Sequence, residues 1–197
     1  MRNTIRNGSA PLGLTLIELM AVLAIMTALL TMGIPLFQAT VKNNRLQAET
    51  LALRAILTNA RTEALARRMP VTVCESADGE SCATDAATWS TGYIAFADQD
   101  NDRVVDDSED VFLVRSVDAP GITLAFDGSG SDSHLRFSPR GDSLNFSGTF
   151  ILCDNRGDRE ARGLLLANSG AVTVATDRDS PANDIIDDLG GDDVSCP

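Results

Sequence analysis

The most unusual chemical group in this chain is a single carboxylate. Glu18 is the only charged residue between Leu14 and Phe37, in a stretch that is otherwise almost wholly apolar. An ionised carboxylate inside a membrane is costly unless it is paired, so such a Glu reads as functional, with a partner to be found. A second group is the acidic run Asp98-Gln99-Asp100-Asn101-Asp102, continued by Asp106 and Glu109. Counted from Asp98, oxygen ligands fall at positions 1, 3, 5, 9 and 12 of an EF-hand-like loop, with apolar Val105 at position 8. That pattern suits calcium. Arg103 stands where such loops require glycine, and the flanking residues read as strands, so a solvated acidic hairpin loop is the competing reading. The stretch from Asp177 to Asp193 is acidic without ligand spacing and reads as a solvated tail loop.

Other reactive residues form no catalytic set. Gly141-Asp142-Ser143-Leu144 spells the nucleophile block of GDSL esterases, but a serine nucleophile needs a base. His134 is the sole histidine, lies upstream, and belongs to no Asp-x-x-His motif. Gly128-Ser129-Gly130-Ser131 lacks the lysine of a phosphate loop. We therefore expect no catalytic residue, and no cofactor apart from calcium. Cys74, Cys82, Cys153 and Cys196 contain no C-x-x-C pair, which favours two disulfides and an oxidising compartment, with three pairings open. Arg156, Arg159 and Arg162 could grip phosphates, yet they interleave with Asp154, Asp158 and Glu160 as a mixed-charge turn would. The net charge of -12 argues against non-specific nucleic-acid binding.

These groups need elements to hold them. A helix over Leu14–Phe37 would rise roughly 36 Å, enough to span a bilayer. Arg2 and Arg6 precede it and predict a cytoplasmic amino terminus. A cleaved secretory signal has a shorter apolar run, of about 7–15 residues, and no buried acid. The helical period continues through Val41, Leu46, Leu51, Leu53, Ile56, Leu57, Ala60, Ala64 and Leu65 until Met69-Pro70 stops it. The whole helix, from Leu14 to Arg68, would be roughly 80 Å long. Beyond Pro70, short β-type runs occur at 71–74, 93–97, 111–116, 122–126, 135–137, 149–153, 164–167 and 172–175, separated by Gly, Asp, Asn and Ser. The expected fold class is α+β: a long amino-terminal helix packed on an antiparallel sheet.

Gly13-Leu14-Thr15-Leu16-Ile17-Glu18-Leu19 resembles the prepilin peptidase site of type IV pilins and type II secretion pseudopilins. The resemblance implies a leader at 1–13, cleavage between Gly13 and Leu14, and N-methylation of Leu14. It implies a transmembrane assembly helix at 14–37, its periplasmic continuation at 38–69 and a pilin-like β-rich periplasmic domain at 70–197. Glu18 would pair with the terminal amine of a neighbouring subunit, and Pro35 fits the place where pilin helices kink or melt. Asn59–Ala64, Val71–Cys74, Trp89–Phe96 and Cys153-Asp154-Asn155-Arg156-Gly157 resemble the GspH/FimT family in their order. With chain order, that resemblance implies the pairs Cys74–Cys82 and Cys153–Cys196. It also implies a minor pilin at a pilus tip or in a priming complex, with two alternatives: a secretion pseudopilin, or a DNA-binding minor pilin. Partners would be other pilins, the prepilin peptidase and the inner-membrane assembly platform. The family's DNA contact is a Gly-Arg-x-Arg motif; here the matching place reads Gly170-Ala171-Val172-Thr173, with neither arginine.

Overall fold

The computed structural model describes residue 13 and residues 15–83, 89–117 and 120–197, without the side chains at 32, 33, 35 and 36. It divides into two compact units, Met1–Val41 and Lys42–Pro197. One helix, α1 (Leu16–Arg67), contributes to both.

In the first unit, Leu16, Ile17, Leu19, Met20, Val22, Leu23, Ile25, Met26, Leu29, Leu30, Ile34 and Phe37 are all exposed. Apolar side chains thus occupy every side of the helix, without the polar stripe of a surface helix. The expected span at 14–37 includes positions outside the described residues, and among the described residues no helix is long and apolar enough to cross a membrane. Melting at Pro35 is not found, because α1 runs unbroken from Leu16 to Arg67. The side chain of Pro35 and the whole of Leu14 lie outside the described residues.

In the second unit, the buried helix positions are Leu46, Thr50, Leu53, Leu57, Ala60 and Ala64. Alternating steps of four and three place them on one face. Leu51 and Leu65, expected on that stripe, are exposed instead. Thr50 occupies the buried turn because its hydroxyl donates to the Leu46 carbonyl at 2.7 Å, which removes the penalty of burying it. The helix ends where Arg68 turns left-handed, with φ 56°.

Among the described residues eight strands follow: β1 (Val71–Glu75), β2 (Gly92–Ala97), β3 (Val111–Ser116), β4 (Ile122–Gly128), β5 (His134–Phe137), β6 (Gly148–Asp154), β7 (Arg162–Leu166) and β8 (Val172–Val174). They form two four-stranded sheets, ordered β3-β2-β1-β5 and β4-β6-β7-β8, rather than one. All pairings are antiparallel. The split follows from β4, which pairs with β6, while β5 returns to close the edge of β1.

Both sheets share a core with the helix face. Val71, Val73, Tyr93, Ala95, Leu135 and Phe137 enter from one sheet; Leu124, Phe126, Phe150, Leu152, Leu164 and Leu166 enter from the other. Trp89 is 1% exposed and meets Phe150 edge-on at 5.1 Å, with its indole N–H donated to the Asp132 carbonyl at 2.7 Å. Each outer face is covered as well. Cys74, Ile94 and Phe96 lie under Cys82, Val105 and Val111. Ile151, Cys153 and Ala161 lie under Val194, Ile185, Ile186 and Cys196. The carboxyl-terminal stretch, expected to be a solvated loop, is therefore a cover for the second sheet. Its acids stay at the rim, except Asp187, which is 1% exposed and accepts from the N–H and guanidinium of Arg178.

Polar clamps fix the helix to the strands at four heights. Lys42 and Asn43 meet Asn155 and Arg156, and Glu49 receives Arg115 at 2.8 Å. Arg61 donates to the carbonyls of Gly141 and Ser169, and Arg67 meets Asp110 at 3.1 Å.

Candidate functional site

At the amino-terminal end, Gly13 is exposed, and a Cβ there would meet no atom within 4 Å. Thr15 accepts the Glu18 N–H on its hydroxyl at 3.3 Å, half of the T-x-x-E capping box that opens a helix. The Thr15-Leu16-Ile17-Glu18 spacing carried that signal, and our sequence reading missed it. Glu18 sits in the first turn, where the helix dipole favours an anion. Among the described residues its carboxylate has no hydrogen-bond or ion-pair partner.

The acidic loop between β2 and β3 places its candidate ligands in two groups of three that share Asp100. One oxygen each from Asp98, Asp100 and Glu109 lie within 4.8 Å of one another, as do oxygens of Asp100, Asp102 and Asp106. Asp98 is fully buried; its Oδ2 accepts from the Thr72 hydroxyl and from Arg136 at 3.1 Å, while Oδ1 has no partner. Burial, with the charges of Asp98 and Asp100, raises the Glu109 carboxyl above its ordinary value. The loop is folded on itself by side-chain acceptors: Asp100 takes the Asp102 N–H, Asp102 the Val104 N–H, and Glu109 the Gln99 N–H.

Beside this loop, His134 is 9% exposed, 3.3 Å from Arg103 and 2.7 Å from the Ser131 hydroxyl. Burial, then the Arg103 and Arg136 charges, lower its pKa to about 4. Cys74 and Cys82 are bonded, with Cα atoms 5.6 Å apart, and close the Glu75–Ser81 loop next to it. Cys153 and Cys196 are bonded across 5.8 Å and fasten the tail to β6.

The three arginines do not converge on a phosphate grip. Arg156 donates to Asp154 at 2.7 Å, to Asn43 at 2.7 Å and to Glu160 at 3.1 Å, and this pairing lowers the Asp154 pKa. Arg159 and Arg162 are exposed. The turn at Gly170 is filled by a structural contact: with φ 73°, it lies against the Gly141 carbonyl and the Arg61 guanidinium. Ser143 of the esterase-like tetrad is fully buried and donates to the Arg136 carbonyl at 2.9 Å. It is not exposed, and among the described residues its hydroxyl meets no base.

The model of the family described as type II transport protein GspH matches residues 49–170. The chain belongs to the GspH family. No curated protein sequence matches it. Among solved structures, the type IV minor pilin FimU of Pseudomonas aeruginosa PAO1 is similar at 21% identity, with a TM-score of 0.51. That alignment covers 68% of this chain and 91% of FimU. A second crystal form of FimU aligns at a TM-score of 0.46, with 66% and 92% covered. At this identity the likeness is one of fold: an α+β pilin fold, with an amino-terminal helix packed on antiparallel sheets. The family match covers the region from the second half of the helix to the β7–β8 turn, so the tail that covers the second sheet lies beyond it.

Proposed function

We propose that this GspH-family chain is a minor subunit of a type IV pilus, inserted at the tip or in the priming complex; a type II secretion pseudopilus is the alternative assembly. The observation that carries the proposal is the helix start: exposed apolar residues on every side, from Leu16 to Phe37, and one carboxylate, Glu18, without a partner among the described residues. A helix with that surface is suited to lipid or to other such helices, and not to water. Residues 14–37 would be the single membrane pass, with residues 1–13 cytoplasmic until the prepilin peptidase cuts after Gly13 and Leu14 is methylated. The rest of the chain would then be periplasmic, which suits two disulfides. In the assembled filament Glu18 would receive the terminal amine of a neighbouring subunit, which removes the cost of a bare charge among apolar helices. The inner-membrane assembly platform and other pilins are the partners this mechanism needs.

Glu18→Ala tests the reading. The variant is expected to be cleaved and membrane-bound, yet absent from sheared filaments. Incorporation at the wild-type level would refute the pairing role. Absence of leader cleavage in the wild-type chain, read as an unchanged mass, would refute the prepilin assignment itself.

A further inference from the structure

We propose that the loop from Asp98 to Glu109 binds one calcium ion through Asp98, Asp100, Asp102, Asp106 and Glu109. Sequence spacing alone would leave a cluster of acids, which usually stays solvated. Three features of the fold go further.

The first is Asp98. A fully buried carboxylate with an unpartnered oxygen is expensive, and a cation at Oδ1 would satisfy it. Arg136 and Thr72 hold only Oδ2. An oxygen of this same residue lies within 4.8 Å of oxygens from Asp100 and Glu109, so the buried group belongs to the cluster. Among the described residues Asp100, Asp102, Asp106 and Glu109 have no Lys or Arg ion pair. Arg103, the nearest cation in sequence, contacts His134 instead.

The second is the backbone. The sixth position of an EF-hand-like loop requires the sharp turn that glycine ordinarily supplies. Arg103 takes that conformation, with φ 69°, and Asn101 shares it, with φ 67°. The substitution that argued against the loop at the level of sequence is therefore accommodated in the geometry. Such a conformation is uncommon for a residue with a Cβ.

The third is the anchor. Val105, the apolar eighth position, packs with Cys74, Ile94 and Phe96 on the outer face of the first sheet. The loop is thus fixed at its centre by apolar contact, and its ends are held by the antiparallel pair β2 and β3.

The donors select the ion. All are hard oxygens, without histidine or cysteine, which excludes a zinc-like set. Oxygens on opposite sides of calcium stand up to about 5 Å apart, and across magnesium only about 4.2 Å. In each group of three the oxygens lie within 4.8 Å of one another, inside the span that calcium allows.

The test uses the full-length chain in detergent micelles, stripped with chelator and titrated with calcium chloride alone. Isothermal titration is expected to give one saturable site, and the thermal midpoint should rise with calcium. Asp100→Asn and Glu109→Gln, both outside the apolar core, should each weaken calcium binding at least about tenfold while keeping the metal-free midpoint near wild type. The cluster of Asp177, Asp179 and Asp187 in the tail is the internal control, because Asp187 also has an unpartnered Oδ1. Asp187→Asn should leave calcium affinity unchanged. No heat and no shift up to about 10 mM calcium, well above the weak range of extracellular sites, would overturn the proposal. So would wild-type affinity in Glu109→Gln, loss of binding in Asp187→Asn alone, or an equal response to magnesium.

Discussion

Removing the tail disulfide offers a quantitative test of how this fold is held. The Cys153–Cys196 bond closes a loop with a sequence separation of 43, against 8 for Cys74–Cys82. In the chain-entropy account, the longer closure stabilises by about 4 kcal/mol and the shorter by about 2.5 kcal/mol, through restriction of the unfolded chain. The tail is also held by bonds that survive the substitution: the Leu189 N–H donates to Thr149 at 2.9 Å, and the Cys196 N–H to Asp158 at 2.8 Å. The native cover over Ile151 should therefore persist in Cys153→Ala/Cys196→Ala, while stability falls by about 4 kcal/mol. Urea unfolding of the full-length chain in micelles measures this, with Cys74→Ala/Cys82→Ala as the companion. The larger loss is expected in the tail pair. A loss in the short-loop pair that equals or exceeds it would refute the loop-length reasoning. A native-state mass spectrum showing rapid proteolysis after Ala175 would instead show that the bond, and not Ile185, Ile186 and Val194, keeps the cover in place.

Acid should act through His134. Its pKa falls from 6.5 to about 4 on folding, so the folded state resists protonation. The stability it supports is complete above pH 6.5 and is lost as pH falls from 6.5 to about 4, by up to about 3 kcal/mol. His134→Gln should flatten that part of the stability profile relative to wild type; an unchanged acid limb in the difference curve would refute the assignment. Duplex DNA should not bind the full-length chain in micelles at either low or high salt, given the net charge of -12 and the pairing of Arg156 with Asp154. Salt-sensitive binding that disappears when Arg156, Arg159 and Arg162 become Ala would reverse that expectation.

Periodicity carried most of the architecture. The helix and all eight strands could be read because each contains a local pattern of period 3.6 or a short apolar run bounded by turn residues. Pairing was not legible. Nothing in the run Ile122–Phe126 says that it joins Phe150 and Leu152 instead of β3, and this choice converts one sheet into two. The period also misassigned Leu51, because a threonine that satisfies its own hydroxyl competes equally well for a buried turn. At the acidic loop, spacing identified the candidate ligands, but the burial of Asp98 and the turn at Arg103 came only from tertiary structure. The tail was misread for a related reason. Its acids dominate the composition, whereas Ile185, Ile186 and Val194 determine where it lies.

The four clamps along the helix bear on how this domain responds to force. Asn43–Arg156, Glu49–Arg115, Arg61–Gly141 and Arg67–Asp110 are spread along the helix from Asn43 to Arg67. Tension along the helix axis would stretch all of them, and the Leu46–Ala64 apolar seam between them, at the same moment. Contacts loaded together in shear divide the force and fail as a group, whereas contacts peeled from one end break singly at low force. The helix of this domain is thus fastened like a lap joint, with its contacts arranged to share a load along its axis.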